Sequence, residues 1–458
     1  MSQMATRLEA VLPGHVILPG DPRYDESRGV YFTGVDRRPT AVAQPASAEE
    51  VASVIRVVRD AGARLSVKGG GHGFTSACVR DDTVVLDLSR LIGMTLDVEA
   101  RVAQAGGGLT AGAYTAAAAR HGLATGFGDS PGVGIAGVAL LGGMGFLHRR
   151  LGLTIDSLLA AQVVTADGTI VETTVDEHPD LFWALRGGGG NFGVVTRLDL
   201  RLHPVAQVRG GMVMGPGEPA AVSRLLELFQ DDADPGGDLS GIVQVMRAPP
   251  MPMIPAELHG KVICGLFVVH AGDPSAADRV LARIRSLVPT TVDALGPTAY
   301  AAMFESEEGP PSPQLLRWSS SFTGVPAPHA VESAFERLAE PHTGMMRMVQ
   351  FRPMGGAVAT VDPGATAFFH RYAPMLVSAG AMFGEAADGD AQRAWVRSVV
   401  ADVCGTQGRG PYLGFLADED VEAVRAAYPE SHWTRLRETK RRYDPDNVFD
   451  GNHNVPPG

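Results

Sequence analysis

Residues 67–74 read Val-Lys-Gly-Gly-Gly-His-Gly-Phe, a stretch whose residue types and spacing suit covalent and phosphate chemistry. Gly69, Gly70 and Gly71 let a backbone turn with its N–H groups bared, because glycine visits positive φ freely and projects nothing toward a ligand. His72 follows at once, a nucleophile that is neutral for much of the time near pH 7. Such a turn can cradle a pyrophosphate while the imidazole is held against the rest of the ligand. A tight surface turn with a bystander histidine fits the same residues.

Two further glycine stretches bear on that choice. Gly132, Gly134 and Gly137 match Gly-x-Gly-x-x-Gly, and so do Gly188, Gly190 and Gly193. A dinucleotide fingerprint needs an apolar strand immediately before it and a helix opening on it. Gly126, Gly128 and Pro131 precede the first match, and the second runs into Val194, Thr196, Leu198, Leu200 and Leu202, alternating as a strand. Neither reads as a Rossmann turn. Three stretches of bare backbone in one domain still suit one large phosphate-bearing cofactor.

The elements that would position these turns are legible. Ser47 and Glu50 form a capping box ahead of Val51, Val54, Ile55 and Val58, and Gly62 can end that helix. Strands are expected at 64–67, 84–88, 95–98 and 101–105, a helix at 110–121, and a hairpin around Asp167-Gly168. A short helix at 178–185 carries Trp183, read as a core anchor rather than a stacking platform. Beyond His203-Pro204 the glycine clusters disappear. Strands at 241–247 and 261–270 then alternate with helices at 219–230, 274–287, 329–340 and 391–403, and 248–255 and 309–313 read as loops. Met346, Met348, Gln350 and Arg352 share one face of an extended run, a plausible pocket wall.

At 458 residues two domains are the natural prior. Acidic residues outnumber basic ones 51 to 39, a net charge of −12, with no basic block, so nucleic acid is not expected as a partner. Cys78, Cys264 and Cys404 are odd in number and far apart, which argues against a disulfide framework or a structural metal and suits a reducing compartment. The N-terminal residues lack an apolar signal core and no apolar run reaches about 20 residues, so a cytoplasmic protein with no membrane partner is expected.

Seven ordered blocks resemble the berberine-bridge-enzyme-like branch of the vanillyl-alcohol-oxidase flavoproteins. They are GGGH at 69–72, VVLDLSRL at 84–91, the stretch 131–158, VTADGTIVE at 164–172, DLFWALRGGGGNFGVVT at 180–196, PMGGAVATV at 353–361, and 440–457. The resemblance implies an α+β protein: a PCMH-type FAD-binding domain of two α/β subdomains, and a substrate domain with an antiparallel sheet backed by helices. The FAD-binding domain would take residues 1–205 and 418–458, enclosing a substrate domain at 206–417. His72 would carry the covalent link to FAD, with Lys68, Gly69, Gly70, Gly71, Gly73 and Phe74 around it. Ser130, Val133, Gly134, Gly137, Gly142, Gly143, Gly145 and Phe146 would pack along the cofactor, with Asn191, Gly193 and Val195 beside them and Asn452 and Asn454 reaching it from the tail.

Departures from the family matter too. Members with two covalent links carry a cysteine where this chain has Ser130, and a hydroxyl is a poor substitute for a thiolate, so one link through His72 is expected. Gln350 stands where some relatives place a glutamate, and an amide cannot take a proton in the useful range. Tyr412 matches the tyrosine of a Tyr-x-Asn-Phe strand in which Gly414 replaces the asparagine, which makes Tyr412 the candidate base or orienting hydroxyl; a tyrosine packed at the domain interface fits equally. Arg352 is a candidate for a substrate carbonyl or carboxylate. The implied function is an FAD-dependent oxidase passing hydride from a small-molecule alcohol, amine or polyketide-like substrate of secondary metabolism to flavin, with O2 as acceptor. A carbohydrate oxidase, or a flavin-binding protein without turnover, is the alternative.

Overall fold

The computed structural model describes all residues except 1–2, 33–35, 206, 231–235, 253, 305–314, 343 and 418–420. The loop expected at 309–313 lies outside the described residues. Three sheets come from the chain before residue 205 and a fourth, eight-stranded sheet from the chain after it.

The first sheet positions the glycine turn. Strands Ala41–Ala43, Thr83–Asp87 and Arg64–Lys68 run parallel, and the short strand Val16–Ile17 pairs antiparallel at the edge. The helix Ala48–Asp60 covers this sheet with Val51, Val54, Ile55 and Val58. Half of the expected box forms: the Ser47 hydroxyl accepts the Glu50 N–H at 3.2 Å, while the Glu50 carboxylate reaches one residue past the cap to accept the Ala46 N–H at 2.7 Å. Gly69 therefore leaves the C-terminal end of a parallel strand, the side on which such sheets present ligands.

The second sheet is antiparallel, in the order Met94–Asp97, Val102–Gly106, Val194–Arg201, Leu158–Val164, Ile170–Thr173. Its central strand starts as Gly193 ends the third glycine stretch. A seven-residue helix, Ile135–Leu141, opens on Gly134, so half of the fingerprint geometry is present after all. No strand precedes it: residues 125–130 carry their backbone irregularly.

The large sheet also contains strands that the sequence pattern did not single out, Gln207–Pro216, Leu315–Thr323 and Met375–Phe383. Their glycines and serines blur the apolar alternation that marks a half-buried strand. Helices Pro219–Leu228, Pro274–Leu287, Pro328–Ala339 and Gly389–Cys404 pack against the face that carries Val243, Val349, Phe351 and Val377. The opposite face carries Met246, Met348 and Trp318, which meet Phe32, Phe74 and Phe415. No helix among the described residues is long and apolar enough to cross a membrane.

The chain ends close on the first half. Helix Glu430–Tyr443 lies against helix Pro179–Leu185, where the Arg435 guanidinium sits 4.0 Å over the buried Trp183 ring. Trp183 is thus the core anchor expected, outside the walls of both chambers described below. Lys440, fully buried, donates to the Asn191 carbonyl at 2.8 Å, the Phe449 carbonyl at 3.0 Å and the Asp444 carboxylate at 2.6 Å. Removing one partner of a buried ion pair strands the other charge. Lys440→Ala is expected to cost about 3–5 kcal/mol of stability, read from the denaturant midpoint; a loss below about 1 kcal/mol would mean that Asp444 is held without its partner.

Candidate active site

The first two glycine turns meet backbone to backbone. A Cβ on Gly70 would stand 2.3 Å from the Gly134 nitrogen, and one on Gly134 would stand 2.4 Å from the Gly70 nitrogen. That contact holds together two chambers. One, of about 350 Å³, is lined by His72, Ser130, Val133, Gly134 and Tyr412, along with Gly70, Gly71, Gly73 and Phe74. The other, of about 110 Å³, is lined by Leu65, Leu140, Gly193, Val195 and Phe449. Val67, Gly69, Ala77, Gly137, Leu141 and Asn452 belong to both walls, so the two chambers adjoin.

The glycines of this wall test whether a dinucleotide fits. A Cβ on Gly69, Gly73, Gly137 or Gly190 would meet no protein atom within 4 Å. Nothing in the protein itself requires glycine there for lack of room, and none of the four has the positive φ that glycine tolerates. A long, flat ligand bound against bare backbone would supply the reason. Beside Asn452, His453 Nδ1 and Asn454 Oδ1 are buried without a hydrogen-bond partner, leaving polar atoms that a ligand or water would satisfy. The site suits FAD in length, in its bare backbone and in its mainly apolar wall.

Other residues expected at the cofactor stand behind the walls. Lys68 reaches back to the Ser27 carbonyl at 2.8 Å. Gly145 is packed so closely that a Cβ would lie 1.6 Å from the Phe127 carbonyl oxygen, and Phe146 belongs to the core. Asn191 donates to the Gly188 and His453 carbonyls and accepts the Val455 N–H, so it fastens the C-terminal tail. Asn454 lines neither chamber, whereas Asn452 lines both.

Tyr412 occupies a slot between two glycines. Its ring lies 3.2 Å from where a Gly142 Cβ would be, and 2.7 Å from where a Gly414 Cβ would be. Its hydroxyl accepts the Gly143 N–H at 3.1 Å, and Gly143 itself must be bare because a Cβ there would stand 1.9 Å from Thr154 Oγ1. Burial, the largest effect, pushes the phenol up to about 12; the Gly143 N–H and the nearby Arg352 pull the other way without offsetting it. A phenol so placed holds its proton at neutral pH and can offer it in a hydrogen bond.

Gln350 and Arg352 sit beside this chamber in a closed polar row. Arg352 donates to Asp129 at 2.6 Å and to the Gln350 side-chain oxygen at 3.2 Å, and its guanidinium lies 4.7 Å over the Phe415 ring. Gln350 in turn donates to Gln244 at 2.7 Å. Arg352, the candidate for a substrate carbonyl or carboxylate, has Asp129 as its ion-pair partner. Asp129 and Phe415 line the chamber and were not named as site residues from the sequence, and Gly414, noted there only as replacing an asparagine, lines it too. Asp129 adjoins Ser130, and Phe415 is the phenylalanine of the Tyr-x-Asn-Phe pattern that carries Tyr412, so both were within reach of motifs already in hand.

Residues 39–174 match the family described as FAD binding domain, and residues 412–456 match that described as Berberine and berberine like. The two matches bracket the chain as the glycine turns and the tail bracket the cavity. The chain carries an FAD binding domain and a berberine-like C-terminal part, and it resembles the berberine-bridge-enzyme-like FAD-linked oxidoreductases. (R)-6-hydroxynicotine oxidase of Paenarthrobacter nicotinovorans is 29% identical over 470 residues, covering 100% of this chain and 99% of that protein. The crystal structure of 6-hydroxy-D-nicotine oxidase from Arthrobacter nicotinovorans matches with a TM-score of 0.85 at 29% identity over 98% of both chains. Glucooligosaccharide oxidase of Sarocladium strictum is 39% identical, over 38% of this chain and 35% of its own length. Xylooligosaccharide oxidase from Myceliophthora thermophila C1, solved with xylobiose, shares the fold, with a TM-score of 0.86 at 22% identity over 100% of both chains.

The Gly414 slot makes a prediction for this flavoprotein. Gly414→Ala puts a methyl into a rigid ring held from the other side by Gly142, and is expected to cost about 1–3 kcal/mol in denaturant unfolding. An unchanged midpoint would show that the ring is free to move.

Proposed function

We propose that this chain is an oxidase for a neutral, largely apolar small molecule, an alcohol, amine or polyketide-like phenolic, and that it holds FAD through one covalent bond at His72. The observation that supports the reading is that His72, Ser130 and Tyr412 line the same chamber as the aromatic rings of Phe32, Phe74 and Phe415. FAD held there would supply the acceptor for a substrate hydride and the means of reoxidation by dioxygen.

The chain's own groups divide the remaining work. Gly69, Gly70, Gly71, Gly134 and Gly137 offer bare backbone to the cofactor, with Gly193, Val195 and Asn452 along its far end. The aromatic walls bind the substrate's apolar body and exclude water. Tyr412 keeps its proton on the phenol oxygen and orients a substrate oxygen or nitrogen. The Asp129–Arg352 pair is neutral overall, so it disfavours neither a hydroxyl nor an uncharged amine, and Gln350 offers hydrogen bonds without taking a proton.

An oligosaccharide substrate is the second reading, because oxidases named for such substrates match the chain. The match at 39% identity covers 38% of this chain, and those solved structures are below 25% identical, so what they share bears on cofactor and fold. A flavin-binding protein without turnover is separated by reoxidation: photoreduced holoprotein is expected to regain its oxidised spectrum in air, and flavin that stays reduced would leave no oxidase.

Acid precipitation is expected to give a yellow pellet with in-gel flavin fluorescence from the wild-type chain and a colourless one from His72→Ala. Flavin that stays with the His72→Ala pellet would place the bond elsewhere. Across pH 6–10 the rate of flavin reduction is expected to show no ionisation that disappears in Tyr412→Phe, since the phenol titrates at about 12. A basic-limb transition lost in that variant would restore Tyr412 as the base.

A further inference from the structure

His72 stands between Gly71 and Gly73, neighbours with no side chains to restrain it, and a Cβ on Gly73 would meet nothing within 4 Å. The restraint comes from elsewhere in the chain. The Tyr31 N–H donates to the Gly71 carbonyl at 3.0 Å, which ties residues 29–32 alongside the glycine turn. The Tyr31 ring then lies over the His72 ring, with centroids 4.5 Å apart and planes 20° from parallel. One residue further, Phe32 meets Phe74 edge-on at 5.5 Å and 81°, so the two segments pair ring for ring over a stacked and an edge contact. Tyr31 and His72 both line the larger chamber.

From this geometry we propose that Tyr31 is a positioning residue that sets the plane of His72 for covalent attachment of the flavin. The inference rests on the His72 linkage proposed above. An imidazole nitrogen attacks through a lone pair in the plane of its ring, so the ring's orientation sets the line of approach. A flat aromatic face stacked on the imidazole fixes that plane and leaves its edge facing the chamber. In the attachment a bond forms between the imidazole nitrogen and the flavin 8α-methyl carbon, one hydrogen leaves each partner, and the two electrons and two protons pass to dioxygen as hydrogen peroxide. Tyr31 takes no proton and forms no bond in this step, so it is the ring face that counts.

The test is the rate of attachment. Full-length chain made under riboflavin limitation is mixed with FAD, and the covalent adduct is followed by intact mass and by acid precipitation. Tyr31→Phe keeps the face and is expected to match wild type. Tyr31→Leu is expected to retain FAD before precipitation but to form the adduct about 10- to 100-fold more slowly. Adduct formation by Tyr31→Leu at the wild-type rate would overturn the proposal, as would a slow Tyr31→Phe, which would assign the effect to the hydroxyl. Loss of non-covalent FAD from Tyr31→Leu would overturn it too, since Tyr31 would then be shaping the chamber. A His72→Ala chain that keeps flavin through acid is a separate result: it removes the linkage reading itself, whatever the Tyr31 variants do.

Discussion

The site depends on a contact between two turns that carry no side chains. Gly70 and Gly134 bring backbone against backbone at a separation where a single methyl group would force the turns apart. Because the first turn leaves a parallel strand and the second opens a helix, their contact joins the strand end to the helix start in the wall of the larger chamber, next to Gly69 and Gly137, which line both. Burying two turns against each other removes backbone groups from water, and the structure keeps the cost low by giving them partners: the Gly112 N–H goes to the Pro131 carbonyl and the Ile135 N–H to the Leu109 carbonyl.

That wall would stay open on one side without the chain's last residues. Asn191 in the third glycine stretch uses both ends of its amide on the tail, and Lys440 gathers carbonyls from both segments around one buried ammonium. Burial lowers the Lys440 pKa, and the Asp444 carboxylate opposes that effect. A cavity of this length, built from the first and last parts of the chain, stays assembled because its closing elements are tied by buried, directional bonds.

The polar groups beside the larger chamber form a neutral set. Asp129, Arg352, Gln350 and Gln244 bond in sequence, and Phe415 lies over the arginine, so the charge that such a site could turn toward an anionic substrate is already satisfied. With Tyr412 held in its slot and keeping its proton, the site orients more than it titrates. That balance supports the proposal of a substrate selected by shape and apolar contact.

The sequence by itself determined the local parts: the Ser47 cap, the hairpin at Asp167-Gly168, the parallel strand that delivers Gly69, and the family that the seven ordered blocks resemble. These rest on spacing within a few residues, where chain geometry decides the outcome. Tertiary structure alone decided that Tyr31 covers His72, that Arg352 is spoken for by Asp129, that Gly414 makes room for the Tyr412 ring, and that Asn191 fastens the tail instead of facing the cavity. Each of those pairs except Gly414 with Tyr412 is separated by tens to hundreds of residues, with one partner on irregular backbone, so no periodic pattern records the contact. The opening turn shows both sides. Its glycines are legible as bare backbone, while the reason Gly70 must be bare, the Gly134 nitrogen, exists only once the two turns have met.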